Sequence, residues 1–528
     1  MTSGRRSVGV KSMTVATILV MVGLVFSKAS GFLRDIFVGI KFSDPVFRDS
    51  FTLAFTIPDL VYNLLIGGSI QSAITPSLSA SIAAGEEEKG IRAVSTFISF
   101  MALLLITVCT FATVFSVPLY QVFNNGSANE ETTYLAAMAS KWLFPQIIFM
   151  MLAALCIGIL NAYKRFASTA FGPTIYNIFV LLSIIFFAGN SKSMLMHTTC
   201  GIMCAAAIYF LFQYIVGLDK LRKFRFIWAP RDKDFHALVK RALPILVSAS
   251  VVQINMAILN AFALTLPDDG YVYALRNAST TWQLPYGIFA VAIGNVMLPS
   301  LAELYGKNDF EGAAGLLSTR LRKALFLTIP SAVIMFLLSN SVISAIFQWN
   351  SYYTDSDAAK AGMLLQGYCI AIISHTVVFI MNQAFYAIGK TKIPLVAGCI
   401  GLISNPLICY FGIPYFSTYA LTLSYSVTSI LQMLILCAVY FRNKKLRPHG
   451  LLRFISKEVI IVIVMSFVLI IFMQIYPTPE AGKIMRLSNL AIKVLVGLAV
   501  YLGAARLLRI DEADEWWVAI RNKLFKSE

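Results

Sequence analysis

Two short segments, "ITPSLSA" (Ile74–Ala80) and "MLPSLAE" (Met297–Glu303), stand 223 residues apart from proline to proline. Each closes a long apolar run. Each is followed by a charged loop and a further apolar stretch ending on a similar edge, "PLYQVF" to Phe123 and "VISAIF" to Phe347, at an offset of 224. Further along, "NAYKRF" (Asn161–Phe166) has a looser counterpart in "YAIGKTK" (Tyr386–Lys392). One match could be chance, but an offset held over such a length points to a chain built from two similar halves.

The solvent of those halves follows from composition. Hydrophobic residues make up 58% of the 528 and charged residues 13%, with a mean hydropathy of +0.75. Soluble domains average about 25% charged residues, so the chain reads as a polytopic membrane protein. Fourteen apolar runs are bounded by charges or turn residues, from 13–40 and 50–83 through to 454–476 and 488–508. The basic N-terminus precedes a run too long for a signal peptide, which reads as a retained first helix. The expected fold is therefore all-α with 14 transmembrane helices. They form two six-helix lobes in parallel pseudo-repeat (1–218 and 242–445), joined by a basic cytoplasmic linker (219–241). A helix pair (446–510) and an amphipathic cytoplasmic tail (511–528) complete the chain. Parallel repeats about an axis along the membrane normal are a transporter architecture.

The net charge of +17 does not indicate nucleic acid, because the basic residues sit in short loops rather than on one soluble face. With a cytoplasmic N-terminus, 32 of the 43 Lys and Arg fall on the cytoplasmic side and 8 on the other. That asymmetry predicts N-in and C-in by the positive-inside rule. The eight cysteines lie in apolar runs without a CxxC pair and read as small hydrophobes. No Walker loop, HExxH or nucleophile elbow occurs, so neither ATP drive nor hydrolysis has a motif behind it. No cofactor is expected.

Three basic residues remain inside spans: Lys28, Arg34 and Arg276. An ionisable group there costs at least about 2.5–3.5 kcal/mol on insertion scales and normally faces a cavity or a partner. Lys28 and Asp35 are seven apart on one helix face, and Arg34 points about 100° from Asp35. The alternative for Arg34 and Asp35 is a helix end that snorkels to the interface. Asp49 opens the second helix, where an N-terminal cap is the simpler role. Gly67, Gly68 and Pro76 allow that helix to bend or pack closely. Arg276 is either a cavity residue or a snorkelling one. His375 and Asn405 read as interhelical hydrogen-bonders. Cationic groups in the membrane with few carboxylates suit an anion such as a phosphate.

The segments "SKASGFLRDIFVG" (27–39), "RDSF" (48–51), "FTIPDLVYNLL" (55–65) and "SAITPSL" (72–78) resemble the MurJ/MviN lipid II flippases of the multidrug/oligosaccharidyl-lipid/polysaccharide exporter superfamily. So do "NAYKRFASTAFGPTIYN" (161–177), "LPYGIFAVAIGNVMLPSL" (284–301) and "FYAIGKTKIPL" (385–395). The resemblance implies a non-enzymatic flippase that carries an undecaprenyl-pyrophosphate-linked peptidoglycan precursor from inner to outer leaflet by alternating access. It implies drive by membrane potential or a monovalent ion, and a lipid-tail groove on the final helix pair. The expected location is the bacterial cytoplasmic membrane, and the expected state a monomer among membrane lipids and cell-wall synthesis proteins. Its substrate-binding residues map here onto Arg34, Asp35, Lys28, Asp49 and Arg276. The sequence departs from the family pattern in several places. Lys28 replaces an arginine, and Tyr62 and Asn63 stand where paired arginines are frequent. Gly67 replaces an acidic residue, and Arg276 lies nine residues before Pro285, farther than the family's helix-eight arginine. Flippases for capsule or teichoic precursors, a cation-coupled drug exporter and a membrane-embedded glycan transferase are the rival classes. The transferase would need an acidic outer loop, for which only "LPDDG" and "SYYTDSDAA" are candidates.

Overall fold

The structure, a computed structural model, describes residues 26–514 apart from Lys28, 67–68, 123–129, Lys164, Pro267, Asn350, His449 and 478–481. Among the described residues there is no strand. The chain falls into two compact units, Met1–Tyr273 and Ala274–Glu528.

The first unit begins with α1 (29–41), which ends before Asp44. The Asp44 carboxylate accepts the Val46 amide at 2.9 Å and caps α2 (Pro45–Ala54). The breaker-rich second run is split into α2, α3 (Thr56–Leu65) and α4 (Ser69–Ala83). Then come α5 (Glu87–Val114), α6 (Ser116–Gln121), α7 (Glu130–Ala162), α8 (Phe166–Phe187), α9 (Lys192–Val216), α10 (Leu218–Leu221) and α11 (Lys233–Ala263). The 33-residue α7 is the hub: α2, α4, α5, α6 and α9 all pack on it, and Leu143, Phe144, Met151 and Leu160 along it are fully buried. α11 lies against α3, α4 and α5, with Asn260 Nδ2 donating to Thr56 Oγ1 at 2.9 Å.

α12 (Tyr271–Pro285) carries the chain into the second unit. A π-helical turn, Tyr286–Val291, follows at Pro285, where the proline removes a helical donor. Next are α13 (Ala292–Gly306), α14 (Phe310–Leu337), α15 (Ser339–Phe347), α16 (Asp355–Ala387), α17 (Lys392–Phe416), α18 (Ala420–Tyr440), α19 (Leu451–Ile475) and α20 (Lys483–Leu507). The hub here is α16, also 33 residues long and started by a Thr354/Asp357 capping box. It carries α13, α14, α15 and α18. Glycine and hydroxyls close the α16–α18 seam: Ser426 Oγ donates to the Gly367 carbonyl, Ser374 and Ser429 hydroxyls meet, and a Cβ on Gly367 would collide with Thr422. α19 and α20 pair with each other, and α14 packs on α19.

The 223-residue offset reappears in backbone geometry. α5 breaks from α6 at Phe115 (φ −96°, ψ 22°), and α14 breaks from α15 at Leu338 (φ −104°, ψ 19°). α14 and α15 meet at 85°. Residues 118–121 of the first edge, and the second edge at 342–347, are thus not continuations of their helices but belong to short helices set off by one residue in the bridge region.

Among the described residues, eight helices are long and apolar enough to span a membrane, or nine with the bent α14–α15 pair. The fourteen runs outnumber them in part because much of the first, 13–40, lies outside the described residues. The second run is cut into pieces too short to cross a bilayer singly, whereas the 49-residue apolar stretch Lys392–Tyr440 is two helices. α17 and α18 pack together and turn at Ser417, φ 47°. Four cysteines are buried as expected, but Cys204 is exposed and Cys200, Cys399 and Cys437 are half-buried. Their helices present one side outward, where a lipid-facing thiol costs little. Of the expected tail helix, 511–514 are helical and the rest lies outside the described residues.

Candidate functional site

In the first unit α1 places Arg34 and Asp35 side by side. Neighbours on a helix diverge by about 100°, yet the long arginine arm folds back, and Nε lies 2.9 Å from Asp35 Oδ1. Asp35 is almost wholly buried, whereas the Arg34 side chain keeps 21% of its surface open. Among the described residues no hydrogen bond engages the two terminal Nη atoms of Arg34. The carboxylate therefore orients the guanidinium through one edge and leaves the outer fork for another acceptor. The backbone is pinned too: Tyr273 Oη donates to the Asp35 carbonyl at 2.6 Å.

Asp49 does something different. Asp44 already caps α2, so Asp49, 2% exposed, is free to reach another chain segment. Its carboxylate accepts the amides of Gly270 (2.8 Å), Val272 (3.4 Å) and Tyr273 (2.9 Å). It is a cap, as its position suggested, but of α12 rather than of its own helix. Arg48 is buried beside it, 5.8 Å from the Tyr273 ring centre.

Among the described residues, the unit gathers hydroxyls, an amide and a carboxylate around Arg34. Asp59 of α3 and Tyr176 of α8 act on the charge of Arg34. Gln146 of α7 donates to Tyr176 Oη at 2.7 Å, Tyr176 and Tyr209 have ring centres 6.1 Å apart, and Tyr62 is electrostatically linked to both. Gly172 allows this closeness, since a Cβ there would strike Tyr209 and Gln213. Tyr62 occupies one of the two positions where arginines are frequent in the resembling family, so the site is tyrosine-rich where a second cation was conceivable. Sequence reading missed Gln146, Tyr176 and Tyr209. Polar residues some thirty positions apart on three separate helices carry no linear signal, although Tyr176 lies inside a segment already singled out. Lys28 lies outside the described residues.

In the second unit Arg276 is half-buried on α12, beside Asn277, which is fully buried and donates to Tyr353 Oη at 3.4 Å. His375, expected to hydrogen-bond between helices, stacks instead on Tyr425 with ring centres 4.9 Å apart at 20°. Trp282 and Tyr286 lie 5.5 and 6.0 Å from it. The aromatic residues of α12, the π turn and α18 converge on it and leave stacking as its contact. Among the described residues no three His, Cys, Asp or Glu side chains converge as metal ligands would.

A bundle of long apolar helices, several of them broken, with a half-open arginine fork held by a buried carboxylate, defines a multi-pass membrane transporter. Comparison agrees in fold: a MATE family multidrug transporter of the MOP superfamily, inward-facing, matches with a TM-score of 0.66 at 13% identity, over 81% of this chain and 98% of its own. The Lipid II flippase MurJ structure in an inward closed conformation matches with a TM-score of 0.77 at 23% identity, over 93% and 98%. The model of the lipid II flippase MurJ family matches residues 41–487. A probable lipid II flippase MurJ from Buchnera aphidicola subsp. Acyrthosiphon pisum is 30% identical over 429 residues, 80% of this chain and 82% of the relative. Lipid II flippase MurJ from Burkholderia cenocepacia is 26% identical over 433 residues, 78% and 80%. The chain belongs to the lipid II flippase MurJ family.

Proposed function

We propose that this chain moves lipid II, the undecaprenyl-pyrophosphate-linked peptidoglycan precursor, from the inner to the outer leaflet of the bacterial cytoplasmic membrane. The observation that carries the site is the Arg34 guanidinium, aimed by Asp35 with its outer fork open. A guanidinium fork matches two phosphate oxygens, and a partly desolvated one binds them more strongly than a surface cation would. Tyr62, Tyr176 and Gln146 add neutral donors suited to phosphate or sugar oxygens. Arg276 supplies a cation from the second half, and Lys28 one from α1. Asp49 contributes by holding the start of α12 rather than by touching cargo.

Translocation needs no bond made or broken, so the chain acts as a carrier without catalysis or cofactor, and membrane potential or a monovalent-ion gradient supplies the drive. Of fourteen spans, with both termini inside, twelve form two six-helix lobes that rock between inward and outward states. The matching breaks at Phe115 and Leu338 support that repeat. The last helix pair offers the polyprenyl tail a lipid-facing groove.

The test is complementation of cells depleted of their own lipid II flippase. Growth restored by the native chain and lost with Arg34→Ala at equal expression is the expected result. A second reading, a flippase for another polyprenyl-linked saccharide, is favoured by Tyr62 and Asn63 where arginines are frequent. It would be chosen if the native chain reached the membrane and failed to restore growth.

A further inference from the structure

Pro330 lies inside α14. Having no N–H, it leaves the carbonyl four residues earlier, that of Phe326, without its helical donor. Tyr501 of α20 fills the gap: its hydroxyl lies 2.7 Å from the Phe326 oxygen. The same hydroxyl oxygen lies 2.9 and 3.1 Å from the two carboxyl oxygens of Glu458 on α19. Tyr501 is 2% exposed and Glu458 1%, so bulk water does not complete the set.

Protons can be counted here. A phenol has one to give, a carbonyl has none, and an ionised carboxylate has none. With Glu458 ionised, two acceptors would face a single donor, and one contact would be oxygen against oxygen without hydrogen. With Glu458 neutral, the count closes. Its O–H donates to the Tyr501 oxygen, and Tyr501 donates to the Phe326 carbonyl.

The charged groups nearby do not supply the missing counter-charge. On α14, Arg322 is committed to Asp511 and Glu512, at 2.7 and 2.8 Å. On α19 itself, Lys457 donates to the carbonyls of Leu508 and Arg509 at 2.7 and 3.0 Å. Glu512, beyond α20, acts on Glu458 as a like charge. Lys493 on α20 is two helical turns from Tyr501 toward the other end.

We propose that Glu458 is a proton-binding site, and that its bound proton completes a relay from α19 through Tyr501 of α20 to the proline break of α14. When the helices part enough to admit water and the carboxylic O–H gives that water its proton, the new carboxylate competes with the Phe326 carbonyl for the one tyrosine proton. A charged acceptor wins that competition. The Phe326 carbonyl, one turn before Pro330, then loses its donor, and the α19–α20 pair loses this hydrogen-bonded tie to α14 while its apolar packing on α14 remains. The last helix pair thereby acquires a protonation-dependent hold on a proline-broken helix. None of this depends on which cargo the protein carries.

Infrared difference spectroscopy on the purified full-length protein at neutral pH tests it. Native minus Glu458→Gln is expected to show one protonated-acid carbonyl band per molecule, sensitive to deuterium exchange. Tyr501→Phe is expected to shift that band by removing its acceptor. The glutamine variant keeps a donor toward Tyr501, so it is expected to fold. Should it not, the native-minus-Tyr501→Phe difference reads the same band. Only ionised carboxylate bands in these differences would overturn the proposal. Failure of the native protein to move lipid II in vesicles would count against the transport reading and leave this band as it is.

Discussion

Arg34 and Asp49 show two uses of a buried charge. Arg34 gives Asp35 one nitrogen and keeps the rest of its fork, so replacing it with lysine retains charge and removes the planar pair of donors. One charge-assisted hydrogen bond is worth about 1.5–3 kcal/mol, which corresponds to a roughly tenfold or larger loss of cargo affinity. Arg34→Lys is therefore expected to complement weakly and Arg34→Ala not at all, read as growth and as lipid II accessible at the outer leaflet. Asp49→Ala strips three amides at the start of α12 of their acceptor. Its expected effect is on stability, roughly 2 kcal/mol, seen as a lower Tm in detergent, with Asp49→Asn recovering part. A native Tm for Asp49→Ala combined with lost transport would return that carboxylate to the cargo.

At the scale of elements, hubs and seams decide the packing. The α16–α18 seam depends on Gly367 sitting against Thr422, in the way small residues let membrane helices approach. Gly367→Leu should force the two apart and cost about 1–3 kcal/mol by overpacking. Reduced thermal stability of the purified protein, relieved by Thr422→Ala, is the expected readout. The repeat was legible in sequence because prolines and helix edges are local features that keep their spacing. The breaks at Phe115 and Leu338 were not, since neither residue type announces a bend; the matched conformation comes from how α6 and α15 turn against their hubs. Likewise the positions of Arg34 and Asp35 could be read, but the pairing between them could not. Helical wheel geometry separates neighbours, and only the flexibility of the arginine arm reunites them. His375 was misread for a related reason, because its partners come from two parts of the second half far from it in sequence, Trp282 with Tyr286 and Tyr425.

Across the whole molecule the charge asymmetry makes a topological prediction. In a cysteine-free background, a cysteine at Ser351, in the loop before α16, should react with an impermeant thiol reagent on intact cells. One at Asp514, after α20, should react only once the membrane is opened. Labelling of both from outside would reverse the orientation drawn from the 32-to-8 distribution of Lys and Arg.

The two hubs differ from their surroundings in length, and bilayer thickness makes that difference matter. At 33 residues, α7 and α16 are each about 50 Å long, against a hydrocarbon layer of about 30 Å. Their ends stand in the headgroup regions on both sides, so lipids with shorter or longer chains change little of what they touch. The outer helices α8, α9, α19 and α20, of 22 to 25 residues, nearly match the layer and must answer each change by tilting. Thickness is thus felt at the rim and hardly at the axis of either unit, and the lipid composition of a reconstituted vesicle becomes a handle on the peripheral helices alone.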